Sequence, residues 1–486
     1  MPTPRTHGGF LAAALAAALA GCALNAPPTA TDLQQDALAH AALPPGWKAG
    51  GTADPVVGRW LESFNDPALS ALVDEALTYN YDLRGAAAHV EQAAAYLKVA
   101  SAPLMPSVGV IGTYSGAASS GGSGLNAIFL NASLELDIWG RLRYGEAAGR
   151  AQADAVAADY AYARQSLAAM VAKSWFVAIE AGLQRAIVAD ALRSAEDLLR
   201  MAKDRLRVGA GNELAVDDAS ASVGSYRDTL RQADLSRDQA LRALEALLGR
   251  YPATEVAVAG SLAPMPGPVP VGLPSQLLER RPDVIAAERR VAISFNQVGE
   301  AKAAMLPRIS LTAGGSSISS DLFVLKDRNN PTWGLGANLF APLYQGGALS
   351  AQVDVRTAEQ KAAMAAYASV GLRCFGEVES ALSAENALRD RAAVLDATVR
   401  DNEHAVQRAR VQYEVGSTDL RSVQQRQLAL YSVRTTRLQV QSQQLAQRVN
   451  LHLALGGSFD DKPAVQAAAE PVRPTFEHPA SVQSRP

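Results

Sequence analysis

The pentapeptide Leu104-Met105-Pro106-Ser107-Val108 recurs 201 positions later as Met305-Leu306-Pro307-Arg308-Ile309. Three further landmarks recur in the same order, namely Tyr81-Asp82-Leu83 as Pro282-Asp283-Val284, Val208-Gly209 as Val415-Gly416, and Leu247-Leu248-Gly249 as Ala454-Leu455-Gly456. The first two pairs are 201 positions apart and the last two are 207 apart, so a few residues were gained between them. Four matched landmarks in one order indicate an internal duplication, in which the chain consists of two copies of one unit.

Each copy predicts a helix, then two strands, then a long helical hairpin. The first helix stops before Pro106 in one copy and before Pro307 in the other, because proline lacks an N–H and disfavours helix in the residue before it. Pro342 marks the reverse change, from the last strand toward the next helix. The predicted helices before the strands are 82–103 and 282–304, and the predicted strands are 107–118, 127–138, 308–319 and 331–342.

The hairpins take up most of each copy. Long helices predicted at 141–206 and 348–413 are joined by glycine-containing turns, near 208–213 and 414–419, to helices at 213–248 and 419–454. At 1.5 Å per residue, a helix of about 66 residues is roughly 100 Å long. Helices of this length without proline are typical of coiled-coil-like packing, so a soluble coiled-coil scaffold is one alternative interpretation.

The predicted strands alternate apolar and polar residues, which is typical of a sheet with two different faces. In the second strand Leu130 and Leu134 share one face, while Asn131, Glu135 and Asp137 share the other. Such alternation fits a membrane-spanning barrel with lipid outside and water inside, and it also fits a soluble β-sandwich. In the barrel interpretation Glu135 and Asp137 are candidate residues of the lumen.

Four strands are too few to enclose a pore, because even eight leave an interior filled by side chains. A single chain would also expose unpaired sheet edges to lipid, which costs several kcal/mol per unsatisfied backbone group. If the strands span a membrane, the chain must therefore assemble, and three copies would supply twelve strands.

The N-terminus predicts export and lipidation. Arg5 precedes an apolar run from Phe10 to Ala20, which has the length of a signal peptide rather than of a membrane span. The run ends in Leu19-Ala20-Gly21-Cys22, which is similar to the lipobox of bacterial lipoproteins and makes Cys22 the expected lipid anchor. The predicted segments are a signal peptide at 1–21, a lipidated segment at 22–65, repeats at 66–250 and 274–456, a linker at 251–273 and a disordered tail at 457–486.

The composition argues against several classes of protein. A net charge of -3 gives no basic surface for nucleic acid. The sequence contains no HExxH, GxxxxGK[ST], GxSxG or CxxC motif, and its six histidines are scattered, so we expect no enzyme, no cofactor and no metal site.

Three motifs carry a family resemblance: Trp60-x-x-x-Phe64-x-Asp66-Pro67-x-Leu69, Leu278-Glu279-Arg280-Arg281-Pro282-Asp283-Val284, and Ala301-x-Ala303-x-x-Leu306-Pro307-x-Ile309-x-Leu311. With them the chain resembles the TolC-like outer-membrane factors of tripartite efflux and secretion systems, in particular their lipoprotein branch, from about residue 43 to 456.

The resemblance implies an α+β membrane protein of the outer membrane. Three chains would form a twelve-stranded β-barrel, with four strands from each, continued by a long α-helical periplasmic tunnel. The implied partners are two further copies of the chain, outer-membrane lipid, a periplasmic adaptor and an inner-membrane pump of the resistance-nodulation-division type. The implied function is passive conduction of small molecules such as drugs and toxic compounds. A type I protein-secretion duct and a non-conducting trimeric scaffold remain alternatives.

The family also implies functional positions at the hairpin turns. Its adaptors dock at these turns, which correspond here to Val208, Gly209, Ala210, Val415, Gly416 and Ser417. Acidic residues after the second turn narrow the tunnel mouth in this family, which implies a periplasmic aperture at Asp419 with its neighbour Arg421. A helix N-cap is an alternative role for Asp419, and the two roles are compatible.

Overall fold

Two of the four strands begin directly after prolines that lie a few residues beyond the end of the preceding helix. The structure is a computed structural model that describes residues 25–41, 43–52, 54–56, 58–113, 126–319 and 331–459. Strand β1 (Ser107–Thr113) starts one residue after Pro106, and β3 (Arg308–Ser319) starts one residue after Pro307. Strand β2 covers Asn126–Leu136, and β4 covers Pro331–Phe340. The predicted strand residues 114–118 and the tail from residue 460 lie outside the described residues.

The helices account for most of the described chain. Their bounds are α1 Ala30–Ala37, α2 Pro67–Tyr79, α3 Tyr81–Ser101, α4 Arg141–Arg207, α5 Glu213–Leu247, α6 Pro274–Arg280, α7 Pro282–Ala303, α8 Ala348–Glu414 and α9 Leu420–Ala454. The long helices α4 and α8 have 67 residues each. Sequence reasoning did not separate α1, α2 or α6, and the structure adds short 3-10 turns at Trp60–Phe64 and Ala102–Leu104.

The four strands form one antiparallel sheet in the order β1-β2-β3-β4. Its register aligns Val108 with Ala132, Ala132 with Ala313, and Ala313 with Leu335, so these four side chains share a face. The opposite face carries polar groups, including Ser133, whose Oγ lies 2.8 Å from the Oγ of a serine on β1. Within the described residues β1 and β4 each leave one edge without a strand partner.

The chain divides into two compact units. The first contains the described residues of 25–41, 88–157 and 283–370, and it includes the sheet. The second contains the described residues of 42–87, 158–282 and 371–459, and it includes both hairpin turns. Its largest core packs aromatic and aliphatic side chains, among them Trp60, Phe64, Val73, Trp175, Phe176, Leu244 and Val449.

The first family motif builds the entry to this core. The Asp66 carboxylate accepts hydrogen bonds from the backbone N–H groups of Ala68 and Leu69, both 3.1 Å long, and so caps α2. Its other oxygen accepts from the indole N–H of Trp175 at 2.8 Å. Pro67 occupies the first turn of the helix, where its missing N–H costs nothing. One aspartate therefore both starts α2 and fixes it to α4.

The second motif places a buried cation. The Arg281 side chain is 1% exposed, and its guanidinium donates to a Glu377 carboxylate oxygen at 2.6 Å and to the Ala454 carbonyl at 3.1 Å. A buried charge is tolerated only when it is paired and hydrogen-bonded. Arg281 thereby connects the start of α7 with α8 and with the C-terminal end of α9.

Candidate functional site at the two interhelical turns

The two interhelical turns share one backbone design. After α4, the Gly209 N–H donates to the Leu206 carbonyl at 3.1 Å and the Ala210 N–H donates to the Arg205 carbonyl at 2.9 Å. Gly209 has a φ of +73°, a backbone conformation that is strained for residues with a side chain. This is the Schellman arrangement, which satisfies the last carbonyls of the helix.

The turn after α8 repeats that arrangement. The Gly416 N–H donates to the Tyr413 carbonyl at 3.0 Å, and the Ser417 N–H donates to the Gln412 carbonyl at 2.8 Å. Gly416 has a φ of +78°. Val415 is 74% exposed, and Val208 of the first turn is 72% exposed. Both turns therefore present an apolar side chain to solvent in this chain.

Each turn leads into a capped helix. The Asn212 side-chain oxygen accepts from the Ala215 N–H at 2.8 Å and starts α5. At the equivalent position, 207 residues later, the Asp419 carboxylate accepts from the Ser422 N–H at 2.9 Å and starts α9. Hydrogen bonds from the side chain and backbone of Ser422, aided by the positive charge of Arg421, lower the pKa of the exposed Asp419 carboxyl. The structure thus places Asp419 as an N-cap that remains ionised and exposed.

Side chains join the two hairpins close to their turns. The Arg205 guanidinium donates to the Tyr413 carbonyl at 2.6 Å and lies 4.8 Å from the centre of the Tyr413 ring, a cation–π contact. The Arg421 guanidinium lies 3.7 Å from an Asp218 carboxylate oxygen. Beneath these contacts a small apolar cluster is formed by Leu198, Ala202, Ala219, Ala409, Tyr413, Leu420 and Val423.

Sequence reasoning missed Arg205, Tyr413 and Asp218. Arg205 and Tyr413 lie near the C-terminal ends of α4 and α8. A cation and an aromatic residue at matching ends of the two long helices were the signal in the sequence that could have indicated their contact. Asp218 follows another acidic residue in the second turn of α5 and has no distinguishing spacing. Arg421 therefore pairs with a residue of the other hairpin, in addition to lying beside Asp419.

The two candidate lumen residues lie at the junction between β2 and α4. Glu135 accepts from the Arg141 guanidinium through both carboxylate oxygens, at 2.9 to 3.1 Å. Asp137 accepts from the backbone N–H groups of Leu142 and Arg143, at 3.0 and 2.9 Å, and so caps α4. Both carboxylates are paired within the chain at this junction.

The apolar face of the sheet is exposed. Leu335 is 91% exposed, Trp333 is 77% exposed and Val108 is 70% exposed. Together with Leu130 and Ala132 they line an open cavity of about 490 Å³. An apolar patch of this kind on one sheet face marks a surface that contacts lipid or protein.

Two further expectations concern the lipid anchor at Cys22 and the absence of a metal site. Cys22 lies outside the described residues. Within the described ranges no group of three or more His, Cys, Asp or Glu side chains is arranged to hold a metal ion.

Most of the chain matches the model of one protein family. Residues 72–250 and 273–457 match the family described as outer membrane efflux protein. The cation efflux system protein CusC of Escherichia coli O6:H1 is 31% identical over 409 residues, which are 82% of this chain and 88% of CusC. The pyoverdine export outer membrane protein OpmQ of Pseudomonas aeruginosa is 30% identical over 443 residues, covering 86% of this chain and 92% of OpmQ.

A solved structure agrees with these matches. A crystal structure of CusC, from work on the conformational changes that accompany folding and transmembrane channel formation, has a TM-score of 0.77 and 27% sequence identity. It covers 86% of this chain and 100% of the compared CusC chain.

Proposed function

The chain belongs to the outer membrane efflux protein family, and on that premise we propose that three copies form the passive outer-membrane duct of a tripartite efflux system. The observation that supports this proposal most directly is the exposed, four-stranded sheet, whose two edges have no strand partner among the described residues. In lipid every backbone polar group needs an internal partner, so the edges of β1 and β4 must pair with other copies. Three copies give twelve strands, which enclose a channel rather than a packed core.

The assignment of the two sheet faces follows from their chemistry. The face with Val108, Trp333 and Leu335 contacts lipid, and the face with Ser133 and Thr312 contacts water inside the barrel. Cys22 carries the lipid anchor, because the run Leu19-Ala20-Gly21-Cys22 is similar to the lipobox of bacterial lipoproteins.

The two interhelical turns are the docking site for a periplasmic adaptor. Val208, Gly209 and Ala210 in the first turn, with Val415, Gly416 and Ser417 in the second, combine exposed apolar side chains with backbone free of bulky groups. The adaptor connects the duct to an inner-membrane pump of the resistance-nodulation-division type. The pump supplies the energy and the duct conducts passively.

Asp419 and Arg421 lie at the periplasmic aperture of this duct. In a trimer three Asp419 carboxylates, held ionised by the N-cap hydrogen bond, favour cations near the mouth. Arg421, paired with Asp218, joins the two hairpins at this level.

The exported substrates are small solutes. The relatives include a cation efflux protein and a pyoverdine export protein. Outer-membrane proteins of such different export systems align with most of this chain. This similarity supports a permissive channel, in which the pump selects the substrate.

The test combines oligomeric mass with planar-bilayer conductance of the full-length protein. We expect a trimer with discrete openings that favour cations. Asp419→Asn keeps the cap, because asparagine caps as well as aspartate, but it removes the charge. This variant is therefore expected to lower cation preference without lowering thermal stability.

The matched control is Asn212→Asp, which adds a carboxylate at the equivalent cap of the other turn and is expected to leave selectivity unchanged. Unchanged selectivity in Asp419→Asn would leave Asp419 as a cap alone. A monomer, or a trimer without conductance, would contradict the duct.

A further inference from the structure

A regular series of charges runs along the last three heptads of α4. Aspartate and arginine alternate at spacings of three and four residues, and we call this series the charged ladder: Asp190, Arg193, Asp197, Arg200, Asp204 and Arg207. Each aspartate pairs with the arginine three residues later, and in the last pair Arg207 lies 2.6 Å from Asp204. The spacing places all six side chains on one face of the helix.

This face points away from the core of its own unit. Val188, Ala195, Leu198 and Ala202 of the same helix segment are buried, whereas the ladder arginines keep 70 to 76% of their side-chain surface exposed. A small cavity of about 70 Å³ lies beside Asp190 between α4, α8 and α9, and its lining includes Ile187 and Val406 together with Gln427 and Arg434. At its start, near Asp190, the ladder therefore borders the second hairpin of the same chain.

The duplication provides an internal control for the meaning of the ladder. The Glu196–Arg227 ion pair, at 2.9 Å, recurs 207 residues later as Glu403–Arg434, at 2.5 Å, so a pair that joins the two helices of a hairpin occurs in both copies. The ladder does not recur. Its equivalent positions on α8 are Ala397, Arg400, His404, Gln407, Val411 and Glu414.

The contrast between α4 and α8 tests whether the ladder serves only to stabilise its own helix. Ion pairs within a helix stabilise it slightly, but α8 has the same length as α4 and forms the same turn without the ladder. Helix stability alone therefore does not account for three heptads of alternating charge on α4.

We propose that the charged ladder is a docking stripe for one helix of the periplasmic adaptor, a helix whose own charges alternate at heptad spacing. The proposal rests on the proposed function and deepens it, because Arg207 immediately precedes the first docking turn at Val208. A helix packed along α4 meets the ladder once in every turn, and opposite charges in matching order fix its register. The adaptor thereby distinguishes the hairpin of the first copy from the hairpin of the second.

The test rearranges the ladder without changing its composition. Arg193→Asp combined with Asp204→Arg converts the alternating series into a block of three aspartates followed by three arginines, at constant net charge. The matched control, Glu146→Arg with Arg150→Glu, exchanges the two partners of an ion pair near the start of the same helix, in which Arg150 is exposed and Glu146 is partly exposed. Circular dichroism checks that the helical content of both variants is unchanged.

Two synthetic helical peptides serve as probes for the docking helix. They have the same composition, and at heptad-spaced positions one alternates lysine and glutamate while the other carries them in two blocks. Fluorescence anisotropy measures their binding to the full-length protein in detergent.

We expect the alternating peptide to bind the wild-type protein and the Glu146/Arg150 control equally. Its binding to the Arg193→Asp/Asp204→Arg variant should be about tenfold weaker. The peptide with lysine and glutamate in two blocks should show the reverse preference. The preference should weaken at high salt, because exposed charges are screened.

Equal binding of both peptides to both ladders, or no binding, would overturn the proposal. A changed oligomeric mass of the block variant would also overturn it, by assigning the ladder to a contact between copies. Bilayer conductance of the same samples separates these outcomes from failure of the duct, since the block variant is expected to conduct like the wild type.

Discussion

At the scale of single residues, burial determines the charge of His452. Its ring stacks on Trp60 with centroids 5.7 Å apart and an interplanar angle of 16°. Burial, with a smaller contribution from the nearby Arg448 cation, lowers the pKa of His452 to about 3. The folded protein therefore keeps this histidine neutral down to about pH 3.

This neutral histidine makes stability depend on pH. Below about pH 6.5 the unfolded chain takes up a proton that the folded chain refuses, so the contribution of His452 is lost as the pH falls from about 6.5 toward about 3. Between pH 6.5 and 5 the loss is on the order of 2 kcal/mol. His452→Gln is expected to remove this part of the pH dependence, measured by unfolding in detergent at several pH values. His404→Gln, at an exposed site on α8, is the control, and equal slopes for the two variants would contradict the prediction.

At the scale of elements, the turn glycines differ from a helical glycine in what a methyl group would do. Gly209 and Gly416 have positive φ, and an added Cβ meets nothing within 4 Å at Gly209 and only the end of the Arg205 side chain, at 3.6 Å, at Gly416. The cost of alanine there is backbone strain of about 1 kcal/mol rather than a clash. Gly224 lies within α5, where the added Cβ also meets nothing.

Alanine substitution should therefore have opposite signs at these sites. Gly209→Ala and Gly416→Ala are each expected to destabilise by about 1 kcal/mol, and Gly224→Ala to stabilise by about 0.5–1 kcal/mol, because alanine is the better helix former. Melting temperatures in detergent measure both effects. A stabilising Gly416→Ala would show that the turn tolerates a different backbone.

At the scale of the whole molecule, the sheet that the described residues form has an exposed apolar face and two edges without a strand partner. Leu335 lies on the apolar face of β4, and Asn338, three residues later, lies on the opposite face. The same arginine placed at each position distinguishes the lipid side from the water side of the proposed barrel.

Leu335→Arg is expected to cost about 2–4 kcal/mol per chain if it lies near the bilayer midplane, and so to reduce the yield of trimer inserted in the outer membrane. Asn338→Arg should insert normally and instead lower the cation preference of the channel. Membrane fractionation and bilayer conductance measure the two outcomes. Equal yields of both variants would contradict the assignment of the faces.

Much of the secondary structure was accessible from the sequence because it depends on local chemistry. Pro106 and Pro307 predict the start of β1 and β3, since a missing N–H cannot be compensated within a helix. The glycines at 209 and 416 predict the turns, and the period-two alternation predicts the two faces of the sheet. The family motifs that contain Asp66 and Arg281 were recognisable in the sequence, whereas the contacts of these residues with Trp175 and Glu377 were not.

The sequence by itself therefore determined the order of the four strands and the long helices, their approximate ends and the family, because each depends on neighbours along the chain or on recognisable motifs, whereas the short helices α1, α2 and α6 were missed. The tertiary structure alone decided which distant side chains meet. It placed Arg205 against Tyr413, Arg421 against Asp218, and the buried Glu245 carboxylate against the backbone N–H groups of the aperiodic linker at Thr254 to Val256. These contacts join residues from separate elements, and their partners are chosen by packing and by the need to satisfy buried polar groups, which no local pattern records.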